Sequence, residues 1–138
     1  MKTCGVEIKA SEAIFALAAL DGSAVAHVPL TLKKLALADD DLAANVQTFA
    51  AQAAAFVAEH GIQRLAIKKR GKKGEFAGGP TTFKIEGVLQ LLSGCETVLV
   101  SPQTISAQAK KLDAALPGSL NKYQHEAFKA ACAVLLKR

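Results

Sequence analysis

The sequence has few of the residues that build disulfide frameworks or zinc sites. Its three cysteines, Cys4, Cys95 and Cys132, are widely spaced and form no Cys-x-x-Cys pair. An odd number of cysteines without such a pair argues against both a disulfide framework and a structural zinc site. We therefore expect all three cysteines to be small side chains of a hydrophobic core.

Long apolar runs are also absent. No run reaches the roughly 18 residues that would suggest a membrane span. An acidic residue, Glu7, lies where a signal peptide would have its apolar stretch,. The chain has 138 residues, of which 51% are hydrophobic, which is enough for a core,. We expect residues 1–138 to form a single cytoplasmic domain.

Common catalytic motifs are missing as well. The sequence contains no Gly-x-x-x-x-Gly-Lys-Ser/Thr loop, no Gly-x-Gly-x-x-Gly turn and no Gly-x-Ser-x-Gly elbow. The sequence therefore does not indicate a P-loop protein, a dinucleotide-binding protein or a hydrolase with a nucleophile elbow. His125 neighbours Glu126 and is a candidate general base, because a histidine pKa is ordinarily about 6.5. A structural or exposed role for His125 is the alternative.

Positive charge is concentrated in one short segment. The chain has a net charge of +5. Five cations within six residues account for it, because the charges of all other residues sum to zero. The five are Lys68, Lys69, Arg70, Lys72 and Lys73. Glycines interrupt and follow the segment, and their N–H groups can approach a phosphate closely. The segment predicts phosphate binding, with Lys9 and Lys84 as neighbours, and a solvated charged loop is the alternative.

Hydrophobic patterning predicts alternating strands and helices. The predicted strands are 2–9, 12–20, 24–32, 62–68 and 96–100. The predicted helices run from the Asp39-Asp40-Asp41 triplet to His60, from Pro80 to Gly94, over 104–116 and over 120–136. Short turns make the first three strands antiparallel, whereas strands reached through helices should be parallel to the first. The expected fold is a mixed five-stranded α/β sheet flanked by helices.

Several side-chain positions follow from these helices. The aspartate triplet should cap the first helix and complement its dipole. Phe83 and Tyr123 should face the core at their helical phases, and Glu86 should be exposed. Aromatic side chains for base stacking are scarce, with Phe76 and Phe83 as the nearby candidates. The pattern therefore favours contact with a nucleic-acid backbone over reading of bases.

This order of elements resembles the ribonuclease H-like superfamily, and within it the RuvC-type Holliday-junction resolvases. The motifs that carry the resemblance span nearly the whole chain; they are Gly5-Val6-Glu7, Ala66-Ile67-Lys68, Gly87-Val88-Leu89, and Glu126 with Lys129 before the small residues 130–133. The Gly-rich loop and opening strand also resemble a small bacterial family of unknown function. Related scaffolds dimerise through a helix, so the resemblance implies a homodimer as one arrangement.

The resemblance also implies a two-metal nuclease site built from about four carboxylates. This sequence keeps Glu7 and Glu126 but has Lys68 and Lys129 at the other two matching positions. Ammonium groups do not ligate Mg²⁺, which needs oxygen ligands. Opposite unit charges about 4 Å apart attract by roughly 4 kcal/mol at an effective dielectric near 20. We therefore predict lysine–glutamate ion pairs, and a protein that binds DNA or RNA without efficient cleavage.

Two alternatives remain open. One is a nuclease in which Glu7 and Glu126 hold a single Mg²⁺ or Mn²⁺ weakly, helped by His125. The other is a non-catalytic domain whose basic segment binds an acidic protein. The sequence contains no further signal that decides between them.

Overall fold

The structure is a computed structural model that describes residues 2–71, 79–112 and 116–136. Two of the predicted phosphate-binding residues, Lys72 and Lys73, lie outside the described residues, as does the candidate stacking residue Phe76. The described chain forms one mixed sheet with helices packed on both faces.

The sheet has six strands. They are β1 Lys2–Lys9, β2 Glu12–Asp21, β3 Ala24–Val28, β4 Lys34–Ala36, β5 Arg64–Lys68 and β6 Glu96–Val100. The spatial order is β3-β2-β1-β5-β6, and β4 also pairs with β2. β2 runs antiparallel to β1, β3 and β4, whereas β5 is parallel to β1 and to β6. The predicted mixed sheet is confirmed, and β4 is an additional strand.

β4 arises because the third predicted strand, 24–32, is divided. β3 ends at Val28, immediately before Pro29, because proline has no N–H group to donate to the sheet. The chain then pairs with β2 again through β4, which lies opposite Glu12–Ile14. The division carries Lys34 to the end of β2 that lies beside the C-terminal end of β1.

The helices are α1 Ala43–His60, α2 Pro80–Gln90, α3 Pro102–Leu112 and α4 His125–Leu135, and a short 3-10 turn over Lys122–Gln124 precedes α4. α1 ends at Gly61, whose φ of 59° is the left-handed conformation that glycine adopts most readily,. α2 begins at Pro80, as predicted. No helix in the described part of the chain is long and apolar enough to cross a membrane.

The prediction that the aspartate triplet caps α1 was wrong. The N-cap of α1 is Leu42, and no side chain caps the helix there. Asp40 instead accepts a hydrogen bond from Thr81 Oγ1 at 3.2 Å, and its carboxylate lies 3.5 Å from Lys84 Nζ. A tertiary contact with α2 has taken the place of the local cap.

The two faces of the sheet have different packing. α1 and α2 cover one face through large side chains such as Phe15, Phe49 and Leu65. α4 covers the other face, where the strands contribute mainly small residues. Cys4 and Cys132 are fully buried and Cys95 is partly buried. Burial raises the pKa of all three thiols, to about 12 for Cys132, so the thiol form persists at neutral pH.

Gly5 sets the distance between β1 and α4. A Cβ atom at this position would overlap the backbone carbonyl of Ala127 in α4. Backbone atoms of a packed helix cannot move aside as a flexible side chain can, so the close approach requires glycine.

We predict that Gly5→Ala lowers the free energy of unfolding by about 3 kcal/mol or more, because overpacking against backbone forces strands and helix apart. Urea denaturation of the purified variant measures the loss. Gly87→Ala is the matched control, since a Cβ atom there meets no atom within 4 Å. That change should be neutral or stabilising by up to about 1 kcal/mol, because alanine favours a helix over glycine. Equal stability of the two variants would contradict the argument.

Candidate functional site

Three charged side chains, with one isoleucine among them, form a row across the sheet beneath the start of α4. Glu7 of β1 pairs with Ile14 of β2, which in turn pairs with Lys34 of β4. On the other side of β1, Val6 pairs with Ile67, so Lys68 follows beside Glu7. Residues directly opposite one another on neighbouring strands point to the same face. The row Lys34–Ile14–Glu7–Lys68 therefore lies on the face that α4 covers.

The predicted ion pairs are present where this row meets α4. Lys68 Nζ donates a hydrogen bond of 2.9 Å to Glu126 Oε1 and lies 3.9 Å from Glu7 Oε2. Lys129 Nζ lies 3.1 Å from the other carboxylate oxygen of Glu126. Glu126 and Lys129 share one side of α4 because they are three residues apart. Each oxygen of Glu126 thus has its own ammonium partner. We call these four residues the ion-pair cluster.

The cluster is partly shielded from water and electrically balanced. The side chains of Glu7, Lys68 and Glu126 are 11%, 20% and 37% exposed, respectively. Burial by itself would raise the pKa of Glu126, but hydrogen bonds from Lys68 and Lys129 outweigh burial and hold that pKa below its ordinary value,. The cluster pairs two carboxylate side chains with two ammonium side chains, so their formal charges sum to zero.

The donor set of the cluster does not fit a divalent metal. Mg²⁺ and Mn²⁺ need free oxygen ligands, preferably anionic ones. Both oxygens of Glu126 face ammonium groups, and the Glu7 carboxylate lies beside Lys68. A dication would meet two positive charges at the same place. We therefore assign no metal-dependent step to these residues.

Another acidic group lies outside the cluster. The carboxylate oxygens of Asp39, Asp40 and Asp41 lie within 4.8 Å of one another. The middle residue, Asp40, is bound to Thr81 and Lys84, and the Asp39 carboxylate accepts a hydrogen bond from the Asp41 N–H. These contacts make Asp40 part of the connection to α2.

The predicted phosphate-binding residues take different positions. Lys68 belongs to the ion-pair cluster, whereas Lys69, the next residue, is exposed. Arg70 is half-buried beside the start of α2, and its Nε atom has no hydrogen-bond partner among the described residues. Lys9 is exposed at the end of β1, and Lys84 donates to the Asp40 carbonyl oxygen at 2.7 Å. Lys69 and Arg70 therefore follow the cluster residue Lys68 directly, where the chain leaves β5.

The position of Tyr123 differs from the sequence prediction. Tyr123 was expected in the core, but it is 42% exposed, and Lys34 Nζ lies 5.0 Å from its ring centroid. The error follows from the start of the last helix, because residues 122–124 form a separate 3-10 turn. Gln124 fills the inward position instead and donates to the Phe15 carbonyl oxygen at 2.8 Å. A capping box between Asn121 and Gln124 is the sequence signal of that turn,.

Glu86 was expected to be exposed, but only 8% of its surface is accessible. One of its carboxylate oxygens is buried without a hydrogen-bond partner among the described residues. It lies on α2, which packs on the face of the sheet opposite to α4. Glu86 is therefore not a member of the ion-pair cluster. His125, the candidate general base, is the partly buried first residue of α4.

Comparison with known proteins identifies the family of this chain. The model of one protein family, described as "Protein of unknown function (DUF3010)", matches residues 1–134. The chain belongs to the DUF3010 family. No curated protein sequence matches this DUF3010 protein.

Solved structures define its fold. RuvC of Thermus thermophilus superposes with a TM-score of 0.76 at 10% identity, covering 99% of this chain and 94% of RuvC. The same protein in complex with a Holliday junction substrate gives 0.75 at 12% identity, with 99% and 93% covered. A fowlpox virus resolvase in complex with Holliday junction DNA gives 0.53 at 14%, also with 99% and 93% covered. The DUF3010 protein therefore has the RuvC-type ribonuclease H-like fold, as its sequence motifs indicated.

We predict that Lys68→Met lowers the free energy of unfolding by about 2–3 kcal/mol at neutral pH. This loss is somewhat below the ~3–5 kcal/mol for breaking a fully buried pair, because the cluster is partly exposed. The lowered pKa of Glu126 stabilises the wild type above the ordinary value of 4.5, and that contribution is lost as the pH falls through the folded-state pKa,. The difference between variant and wild type should therefore shrink in acid.

Urea denaturation at several pH values measures this difference. Lys34→Met is the matched control, because its ion pair with Glu12 has side chains 49% and 41% exposed. Removing an exposed pair should cost less than about 1 kcal/mol. Similar losses for the two variants, or a Lys68→Met loss that is unchanged in acid, would show that the cluster contributes no special stability.

Proposed function

We propose that this DUF3010 protein binds DNA or RNA at the sheet edge next to the ion-pair cluster, and that it is not an efficient metal-dependent nuclease. The observation that carries the proposal is the position of the Lys68 ammonium, 2.9 Å from Glu126 and 3.9 Å from Glu7. An internal cation lies between the carboxylates that remain at positions resembling nuclease ligands. A cytoplasmic location and a homodimer, both expected from the sequence, belong to the same proposal.

The charge balance of the cluster explains why binding can persist without a metal. Bare carboxylates would repel the phosphate backbone of a nucleic acid, and a nuclease overcomes this repulsion with its metal ions. Here Lys68 and Lys129 neutralise Glu7 and Glu126. The surface can therefore approach phosphates with its charge already compensated.

Lys69 and Arg70 supply the attraction. Both follow β5 directly at the edge of the cluster, and the sequence continues with Lys72 and Lys73. Arg70 lines a cleft of about 310 Å³ together with Ser11, Pro80 and Thr82. A guanidinium, with its planar set of N–H donors, suits the two oxygens of a phosphate. These residues would bind the backbone rather than read bases.

The structural neighbours favour a branched or otherwise structured ligand. RuvC and the fowlpox virus resolvase were each solved with Holliday junction DNA. At 10–14% identity this likeness defines the fold, so it supports the class of ligand without identifying it,.

We predict that replacing Lys69, Arg70, Lys72 and Lys73 with alanine reduces affinity for a four-way DNA junction at least about 100-fold at low salt. Each lost phosphate contact should also make the slope of log affinity against log salt less negative by about 0.9. Fluorescence anisotropy over a salt titration measures both quantities, with junction, duplex and single-stranded DNA and RNA as ligands.

The control for that experiment is the pair Lys2→Ala and Lys110→Ala. These changes remove exposed lysines from the opposite end of β1 and from α3. The control should bind almost as the wild type does, since most attraction comes from the segment after β5. Absence of binding by the wild type, or equal weakening in both variants, would overturn the proposal.

The nuclease alternative has one supporting observation, namely that Glu7 and Glu126 converge on the same ammonium group. We expect wild-type protein to leave junction and hybrid substrates intact in Mg²⁺ or Mn²⁺, and to show no rise in melting temperature with either metal. Cleavage that disappears in Glu7→Gln would establish the alternative. An acidic protein partner that stays bound after nuclease treatment, with no nucleic-acid binding, would instead favour an interaction domain.

A further inference from the structure

We propose that Tyr123 and Lys34 form a stacking platform for an unpaired nucleobase. This inference rests on the proposed nucleic-acid binding and specifies which form of nucleic acid the site prefers. The platform combines the aromatic ring of Tyr123 with the ammonium group of Lys34. It lies at one end of the row across the sheet, and Lys68 lies at the other end.

Tyr123 presents its ring at the surface instead of in the core. It is 42% exposed and is the one aromatic residue among the exposed large hydrophobic side chains of the described chain. Lys122 beside it in the 3-10 turn is also exposed, and Lys34 Nζ lies 5.0 Å from the ring centroid. The Lys34 ammonium lies over one face of the ring and a second cation is on the neighbouring residue, so the rest of the exposed ring and these charges match both components of a nucleotide, the flat base and the anionic phosphate,.

The position of the platform connects it to the proposed phosphate-binding residues. Lys34 and Lys68 lie on strands three steps apart in the sheet, through Ile14 and Glu7. Three strand spacings make about 14 Å. Lys69 and Arg70 continue from Lys68 at the same edge. A single strand that runs past the ends of these sheet strands, from Tyr123 toward Lys68, would therefore place a base on Tyr123 and its neighbouring phosphates toward Lys69.

An unpaired base is the occupant that this chemistry selects. In a continuous duplex, both faces of each base are already stacked, so the duplex offers phosphates but no free π-face. Single strands, loops and the disrupted parts of branched nucleic acids expose base faces to aromatic side chains. The platform therefore predicts preference for nucleic acids with unpaired bases over duplex of the same length.

The sequence supplies a direct probe of this contact. The chain contains one tyrosine and no tryptophan, so its intrinsic tyrosine fluorescence comes from Tyr123. Binding of single-stranded DNA should quench this emission, because a stacked base lies against the ring. Inorganic polyphosphate, which has charge but no bases, should bind the cationic residues without comparable quenching.

Variants of Tyr123 test the platform by affinity. Tyr123→Ala should weaken binding of single-stranded DNA about 5- to 150-fold, the range for loss of one stacked base, and weaken duplex binding little. Tyr123→Phe should retain the wild-type affinity for single strands, because the ring remains. Thermal melting of both variants checks that the 3-10 turn is still folded.

The outcomes separate this inference from the proposed function. If single strands bind and the basic variant loses binding, but Tyr123→Ala binds normally or Tyr123 emission is unchanged, the platform is wrong and the proposed function stands. Failure of Phe to preserve affinity in a folded Tyr123→Phe variant also refutes stacking. If wild-type protein binds no nucleic acid at all, both proposals fail.

Discussion

The close contact between α4 and the backbone of β1 is the constraint on which the site depends. Gly5 leaves no Cβ atom between strand and helix, so α4 lies directly against the sheet. Small residues on the neighbouring strands, Ala16 and Ala66, extend the same flat surface. The first turns of α4 are thereby held above the C-terminal ends of β1 and β5. Glu126 can reach Lys68 only because the helix is that near.

Electrostatics then determines what the site can do. In a ribonuclease H-like nuclease, carboxylates are arranged around metal ions, and the cations come from solution. In this DUF3010 protein, Lys68 and Lys129 are covalently attached cations at 2.9 and 3.1 Å from Glu126. A lysine ammonium is part of the chain, so it does not have to be bound from solution as a metal ion does. It also has no coordination position for a water molecule. The charge pattern of the cluster thus differs from that of a metal site, although the fold is of the RuvC type.

The elements around the cluster direct its exposed cations. The division of the third strand after Val28 creates β4 and brings Lys34 under Tyr123. On the other side, the contact of Asp40 with Thr81 and Lys84 connects the start of α1 to α2. Arg70 lies beside the start of the same α2 helix. The surface proposed for nucleic acid is thus assembled from segments that are distant in the sequence.

Local patterning determined most of the secondary structure of this protein. Alternating side chains and the turn at Asp21-Gly22 set β1 and β2 almost to the residue, and Glu96–Val100 is the predicted strand. The same sequence also placed lysines at two positions where a resembling nuclease has carboxylates. Such features depend on neighbouring residues or on motif order, so they can be recognised without coordinates.

Tertiary structure alone decided which charged groups meet and which side chains are exposed. Glu126 and Lys68 are 58 residues apart, and no local pattern fixes a distance across that separation. Gln124 is buried in place of Tyr123 because its side chain donates to the Phe15 carbonyl oxygen of β2, which is 109 residues away in the sequence. Burial of Glu86 likewise depends on how α2 packs on the sheet. Helical periodicity identifies a face, but only packing determines what that face touches.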